Sequence, residues 1–237
     1  MDQFSRSLPL YGEEGMARLQ RARAAVFGIG GVGGFAAEAL VRSGVGSIDL
    51  FDNDVVAETN LNRQIIALHS TLGQPKVDVM AQRLQDINPH AHITAHQLFY
   101  LPENADSIDL SCYDITLDAV DTVTAKMELI VRADQLHVPI ISAMGAGNKL
   151  DPTQLHVADI YDTHECRLAR IIRSECRKRG VKKLRVVYST EPPVVVAAAN
   201  GETPPGSRRA VPASAMFVPA AMGLTMAAEA LRILTSL

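Results

Sequence analysis

Hydrophobic and polar positions follow two rhythms along this chain. Short apolar runs bounded by glycine, proline or acidic residues recur at 24–28, 47–52, 115–119 and 139–143. Runs of that length and boundary read as buried strands. Between them, apolar positions fall three and four apart. Residues 12–22, 32–43, 75–87 and 123–136 have this helical period, most clearly at Val77, Met80, Ala81, Leu84 and Ile87. Residues 92–97 alternate in the manner of a half-buried strand. Strand and helix thus take turns, which predicts an α/β fold: Rossmann-like, doubly wound, with a mostly parallel sheet covered on both faces.

After Gly147 the rhythm changes. Strands are expected at 155–160 and 184–188, with an arginine-rich helix at 166–179 between them. Residues 191–214 are rich in proline, glycine and small side chains and read as a mobile loop. Residues 210–228 are apolar enough to raise the question of a membrane span. Pro212 and Pro219 interrupt them and Glu229 and Arg232 follow, so they read as the entry to a buried C-terminal helix. Met216, Met222 and Met226 are its expected core filling. No stable membrane insertion is expected. The division is a nucleotide-binding core at 1–150 and a C-terminal extension at 151–237, together one continuous domain.

Composition narrows the class. Apolar residues make up 47% of the 237 residues, enough for a sizeable core. The net charge of −3 excludes a generally basic nucleic-acid binder, so any such site must be a local patch. Cys112, Cys166 and Cys176 form no paired framework, and the first eleven residues lack an apolar leader. Both points indicate a reducing, cytoplasmic setting.

The chemistry gathers at strand ends. Gly28-Ile29-Gly30-Gly31-Val32-Gly33 follows the first strand and opens a helix. In such a turn Gly28 permits the tight bend, Gly30 and Gly31 let backbone approach phosphate, and Gly33 lets the helix pack closely. The helix start then favours an anion. Asp52 lies about 20 residues on, where an acid can bond ribose hydroxyls. Asp54, Glu58, Asn60, Arg63 and Gln64 follow at or beyond the carboxyl edge of the sheet, where ligands bind in such folds. Arg63 offers a planar fork for phosphate oxygens, and Lys76 opens the next helix after Gly73-Gln74-Pro75. Two cations facing one phosphate chain stabilise the charge that builds as pyrophosphate leaves. A nicotinamide transferring hydride has no use for them. In Asp118-Ala119-Val120-Asp121, either acid could hold Mg²⁺. Asp121 is the better candidate, and Asp118 serves equally well as a helix cap.

Further along, Arg167, Arg170, Arg173 and Arg177 recur at helical spacing, followed by Lys178, Arg179, Lys182 and Lys183. Leu168, Ile171, Ile172 and Cys176 fall on the other side, so the stripe fits the phosphates of an RNA stem. Tyr161 and Tyr188 are the nearby rings able to stack on unpaired bases. Cys166, at the start of this helix, has a setting in which a thiol becomes reactive. Cys112 reads as structural and Cys176 as core. His90, His92 and His96 read as surface positions.

The glycine turn, Asp52-Asn53-Asp54, Asn60-Leu61-Asn62-Arg63-Gln64, Gly73-Gln74-Pro75-Lys76 and Asp118-Ala119-Val120-Asp121, in that order and at fitting distances, resemble the E1-like family of ATP-dependent adenylating enzymes. The resemblance spans about residues 5–160. It implies adenylation of a carboxylate with ATP and Mg²⁺ and release of pyrophosphate. By motif, Asp52 would hold the ribose, Asn60, Arg63 and Lys76 would contact the phosphates, and Asp121 would hold the metal. Asp54, Gln64 and the glycines complete the nucleotide contacts. In many relatives an arginine from the partner subunit finishes the site, for which Arg6 is the candidate, so a homodimer is implied. Phe4-Ser5-Arg6, residues 10–15 and the basic helix resemble the branch that dehydrates threonylcarbamoyl-adenosine in tRNA. There the substrate's own nitrogen closes onto the activated carboxylate, and no protein nucleophile is needed. The branch resemblance implies a tRNA substrate. It leaves room for a monovalent cation (Na⁺ or K⁺) and for sulfur-transfer partner proteins. Zinc is not expected, because the Cys-x-x-Cys pairs of the sulfur-carrier activators are missing. The alternative is an activator of a ubiquitin-like or sulfur-carrier protein C-terminus.

Overall fold

A computed structural model describes residues 3–195 and 212–236. Most of the loop expected at 191–214 therefore lies outside the described residues. Strands β1 (Arg23–Phe27), β2 (Ser47–Phe51), β3 (His92–His96), β4 (Ile115–Asp118), β5 (Ile140–Ala143), β6 (Leu155–Asp159) and β7 (Arg185–Ser189) make one sheet in the order β3-β2-β1-β4-β5-β7-β6. Every pairing is parallel except that of β6 with β7. The sheet is thus mostly parallel, with an antiparallel edge, and it runs without a break into the residues after 150.

Successive strand residues face opposite sides, and the two sides are covered by different helices. Ala24, Val26, Ile48, Leu50, Ile115 and Leu117 pack with helices α1 (Leu8–Arg21), α2 (Gly33–Arg42), α3 (Lys76–Ile87) and α6 (Phe217–Thr235). Ala25, Phe27 and Phe51 point the other way, toward Ala125 and Leu129 of α4 (Val123–Leu136). Further across, Met127 and Ile130 of α4 pack with Ile172 and Cys176 of α5 (Arg167–Arg179).

Three expectations change. The first helix is interrupted: Gly12 has φ 68° and ψ 171°, so a short turn precedes the regular helix. Met222 and Met226 are fully buried in α6 as core filling, but Met216 sits just before that helix and is 45% exposed. His96 is no plain surface residue. Its ring stacks on Phe51 at 4.4 Å and its Nε2 lies 3.1 Å from Oδ1 of buried Asp49. Helix α6 is long and apolar enough to cross a membrane by composition alone. Here Val218, Met222, Met226, Ala227 and Ala230 are buried against the rest of the protein.

Candidate nucleotide site

Strand order places β1 between β2 and β4, so the chain leaves β1 toward one side of the sheet and later returns to the other. Such a switch opens a crevice beyond the carboxyl ends of the strands. A cleft of about 520 Å³ lies there. Gly28 makes the turn out of β1 with φ +87°, and a Cβ on it would stand 2.7 Å from the Ala119 carbonyl oxygen. A side chain at Gly33 would strike the Gly28 carbonyl, so the helix can start directly on the turn only with glycine there. Gly30 and Gly31 line the cleft. No side chain caps the start of α2, and apart from the Gly34 N–H, which donates to the Gly30 carbonyl at 3.1 Å, its first N–H groups are left for an anion.

Asp52 closes onto this turn. Its Oδ2 accepts from the Ile29 N–H at 2.6 Å and its Oδ1 from the Asp54 N–H at 2.8 Å. Both oxygens are fixed by backbone, and each keeps acceptor capacity toward the cleft. Beyond it, the chain at 54–56 is knit to 73–76: Val55 bridges Pro75, and the Lys76 N–H donates to the Asp54 carbonyl at 3.0 Å. That pairing delivers Lys76 to the cleft, where its Nζ meets Asp54 Oδ2 at 2.7 Å. Asp54 therefore acts first on the lysine. Arg63 is held by Nη1, which donates to the Thr59 carbonyl at 2.7 Å and to Asn62 Oδ1 at 3.0 Å. Asn60 and Gln64 are buried in the wall, and Gln64 Oε1 has no hydrogen-bond partner among the described residues. A buried amide oxygen left without a donor is a group that a ligand can satisfy.

Asp121 lines the cleft from the other side and is exposed. One carboxylate beside a phosphate chain fits Mg²⁺, which takes one or two protein carboxylates and fills its remaining positions with phosphate oxygens and water. Among the described residues no cluster of three acidic, histidine or cysteine side chains forms a dedicated metal cage.

Asp118 is neither metal ligand nor helix cap. It is fully buried, its Oδ2 accepting from Lys126 Nζ at 2.8 Å and from Ser142 Oγ at 2.5 Å. Its Oδ1 accepts from the Val120 N–H at 3.2 Å and so shapes the loop that carries Asp121. Lys126 was not singled out from the sequence. The available signal was a lysine on the apolar stripe of α4, one place before Met127 and four before Ile130. Two asparagines were also missed. Asn148, at φ 57°, donates its N–H to the Ala213 carbonyl at 2.7 Å and accepts the Ala213 N–H on Oδ1 at 2.8 Å. Asn62 Nδ2 donates to the Ser214 carbonyl at 2.9 Å. These contacts bring Pro212 and Ser214 to the cleft rim.

The cleft does not collect everything. Arg6 is exposed and absent from the lining of its own chain's cleft. Neighbouring Phe4 packs by Gly44, past the far end of α2. The basic helix is less uniform than its spacing indicates. Arg167, Arg170 and Arg177 are exposed, but Arg173 turns inward, Nη1 donating to the Thr163 carbonyl at 2.7 Å and to Thr163 Oγ1 at 2.6 Å. Tyr188 is 3% exposed and offers no open face to a base, and one face of the half-buried Tyr161 ring lies under the Arg177 guanidinium. Cys166 is buried at the start of α5, its Sγ 3.5 Å from the Ala169 N–H. Cys176 is core, and Cys112 is exposed.

Fold and cleft together define a nucleotide-binding α/β protein whose cleft is lined by Asp52, Asp54, Arg63, Lys76 and Asp121. A family model described as the ThiF family matches residues 4–237, and the chain belongs to that family. A protein of Bacillus subtilis (strain 168) named tRNA threonylcarbamoyladenosine dehydratase is 43% identical over 233 residues, or 95% of this chain and 92% of that one. The protein of that name from Escherichia coli (strain K12) is 39% identical over 196 residues, 79% of this chain and 73% of that one. The crystal structure of the E. coli dehydratase TcdA in complex with AMP superposes with a TM-score of 0.89 at 35% identity, covering 99% of this chain and 94% of that one. Its complex with ATP gives a TM-score of 0.86.

Proposed function

We propose that this protein is an ATP-dependent tRNA threonylcarbamoyladenosine dehydratase, adenylating the threonyl carboxylate and letting the substrate close on itself. The carrying observation is the convergence of Asp52, Arg63, Lys76 and Asp121 on one glycine turn, in a chain 43% identical to a protein of that name. Residues 1–150 serve as the adenylating core, and 151–237 complete the sheet and carry the RNA-facing surface.

A threonyl carboxylate oxygen attacks the α-phosphorus of ATP, the bond to the β-phosphate oxygen breaks, and pyrophosphate leaves. A nitrogen of the same side chain then attacks the acyl carbon, loses its proton, and AMP leaves. The substrate has lost one water overall. Asp52 orients the ribose, while Gly30, Gly31 and the start of α2 receive phosphate oxygens. Asn60 and Gln64 add polar contacts. Arg63 and Lys76 stabilise charge building on the leaving pyrophosphate. For Lys76 this means exchanging Asp54, an exposed counterion, for phosphate. Asp121 would hold Mg²⁺, which would supply positive charge to offset that building on the phosphates. Arg6 would act in the partner's cleft of a homodimer. No protein nucleophile is required, since the adenylate supplies the leaving group and cyclisation is intramolecular.

The test is mass spectrometry of nucleosides from tRNA carrying threonylcarbamoyl-adenosine. Enzyme with ATP and Mg²⁺ should remove the mass of one water, and omission of ATP should abolish the change. An unchanged nucleoside alongside adenylation of a protein C-terminus would move the chain to the activators.

A further inference from the structure

We propose that tRNA lies along α5 with its anticodon-loop end over the start of the helix and its stem toward the other end, gripped by two separate cation pairs. The inference rests on the dehydratase reading above. Four cations of the basic segment are exposed and make no ion pair, hydrogen bond or ring contact among the described residues: Arg167, Arg170, Lys182 and Lys183. Those between them are engaged. Arg173 is tied to Thr163, the Arg177 guanidinium sits 5.5 Å over the Tyr161 ring, and Lys178 and Arg179 share Glu175. The middle of the stripe stays cationic, with Glu175 as its one carboxylate, but its side chains are held in place, whereas the pairs at its two ends are free to reach phosphates.

Their positions fix a direction. The start of α5 abuts the loop after β5: Cys166 Sγ and the Leu168 side chain lie 3.7 and 3.9 Å from where a Gly145 Cβ would stand. One and two residues further, Ala146 and Gly147 line the nucleotide cleft. At the other end the chain passes from Gly180 to Leu184, whose carbonyl accepts from Ile160 N–H, and enters β7 at its amino end. Helix α5 thus crosses the depth of the sheet, and at 1.5 Å per residue its two ends, each beside one of the free pairs, stand about 18 Å apart. Only the patch at the helix start is beside the chemistry. A modified nucleoside that puts its carboxylate in the cleft brings its loop phosphates to Arg167 and Arg170, and its stem phosphates follow toward Lys182 and Lys183. Exposed Asp162 and Glu165 flank the cleft-side pair and weaken its pull on phosphate. Most of the salt-dependent affinity then belongs to the distal pair.

The experiment compares full-length tRNA with a minimal anticodon stem-loop, both carrying threonylcarbamoyl-adenosine. Arg167→Glu with Arg170→Glu should raise KM about tenfold on both RNAs. Lys182→Glu with Lys183→Glu should raise KM on full-length tRNA, make its salt dependence shallower by about 2 in slope, and leave the stem-loop nearly unaffected. Unchanged ATP affinity reports an intact fold, and Gln substitutions at the same positions replace any reversal that fails this check. Equal effects of the distal pair on both RNAs would overturn the direction. No effect of either pair would overturn the surface and leave these cations to an acidic protein partner. If the unaltered enzyme turns over neither RNA, the dehydratase reading fails instead.

Discussion

Lys76 and Lys126 are both buried lysines paired with an aspartate, at 2.7 and 2.8 Å, yet they do opposite things. Lys126 spends its donors on Asp118, Ser142 Oγ and the Ala143 carbonyl, and both members of its ion pair have fully buried side chains. Lys76 makes one ion pair, to an aspartate whose side chain is 60% exposed. Burial alone therefore does not mark a working group. The partner's freedom to leave does. In the function proposed above, water takes Asp54 and a phosphate replaces it, while Lys126 is sealed in the core and holds the ends of β4 and β5 and the loop to Asp121.

The sharpest way to break this comparison is Lys126→Met. It strands the buried Asp118 carboxylate, for a loss of about 3–5 kcal/mol in stability. Urea unfolding measures it, and an unchanged midpoint would mean the pair is not structural. Lys76→Ala leaves only a solvated carboxylate behind. Its unfolding midpoint should stay near the parent's, while the rate of AMP formation falls about 10²-fold or more. Arg63→Ala should behave likewise. A normal rate in either variant would remove that residue from the phosphate site. The basic helix offers a milder form of the same contrast. Arg173→Ala gives up bonds to Thr163 and should cost about 1.5–3 kcal/mol while leaving the salt dependence of tRNA binding as it was. Arg170→Ala should do the reverse. A drop in salt slope for the Arg173 variant would return it to the RNA surface. The smallest effect concerns the thiols. Burial, helped by Asp134 and Asp159, pushes the Cys176 thiol up to about 11, so a maleimide at mildly alkaline pH should modify exposed Cys112 and leave Cys176 until the chain unfolds.

The strands and helices were legible because local period reports burial. The run at 115–119 became β4, and Val77, Met80 and Leu84 became the buried face of α3. What period does not report is direction or partnership. Nothing in residues 155–160 distinguishes an antiparallel edge strand from another parallel one. Arginines at helical spacing give a stripe, but whether Arg173 points to solvent depends on Thr163, which only the fold brings beneath it. Asp118 read as a cap or a ligand because its lysine lies eight residues on, along a helix whose burial is set by the sheet. The glycine turn and its acids were legible for the opposite reason. Their geometry is local, and Gly28 at φ +87° leaves a mark in sequence that a long-range ion pair does not.

The central claim is that this cleft activates a carboxylate on modified tRNA. It is tested most directly by AMP release from labelled ATP in the presence of tRNA carrying threonylcarbamoyl-adenosine, unmodified tRNA, or none. AMP that forms only with the modified tRNA, in step with loss of water from the nucleoside, is the predicted result. AMP formation indifferent to the modification would contradict it and point to a different carboxylate.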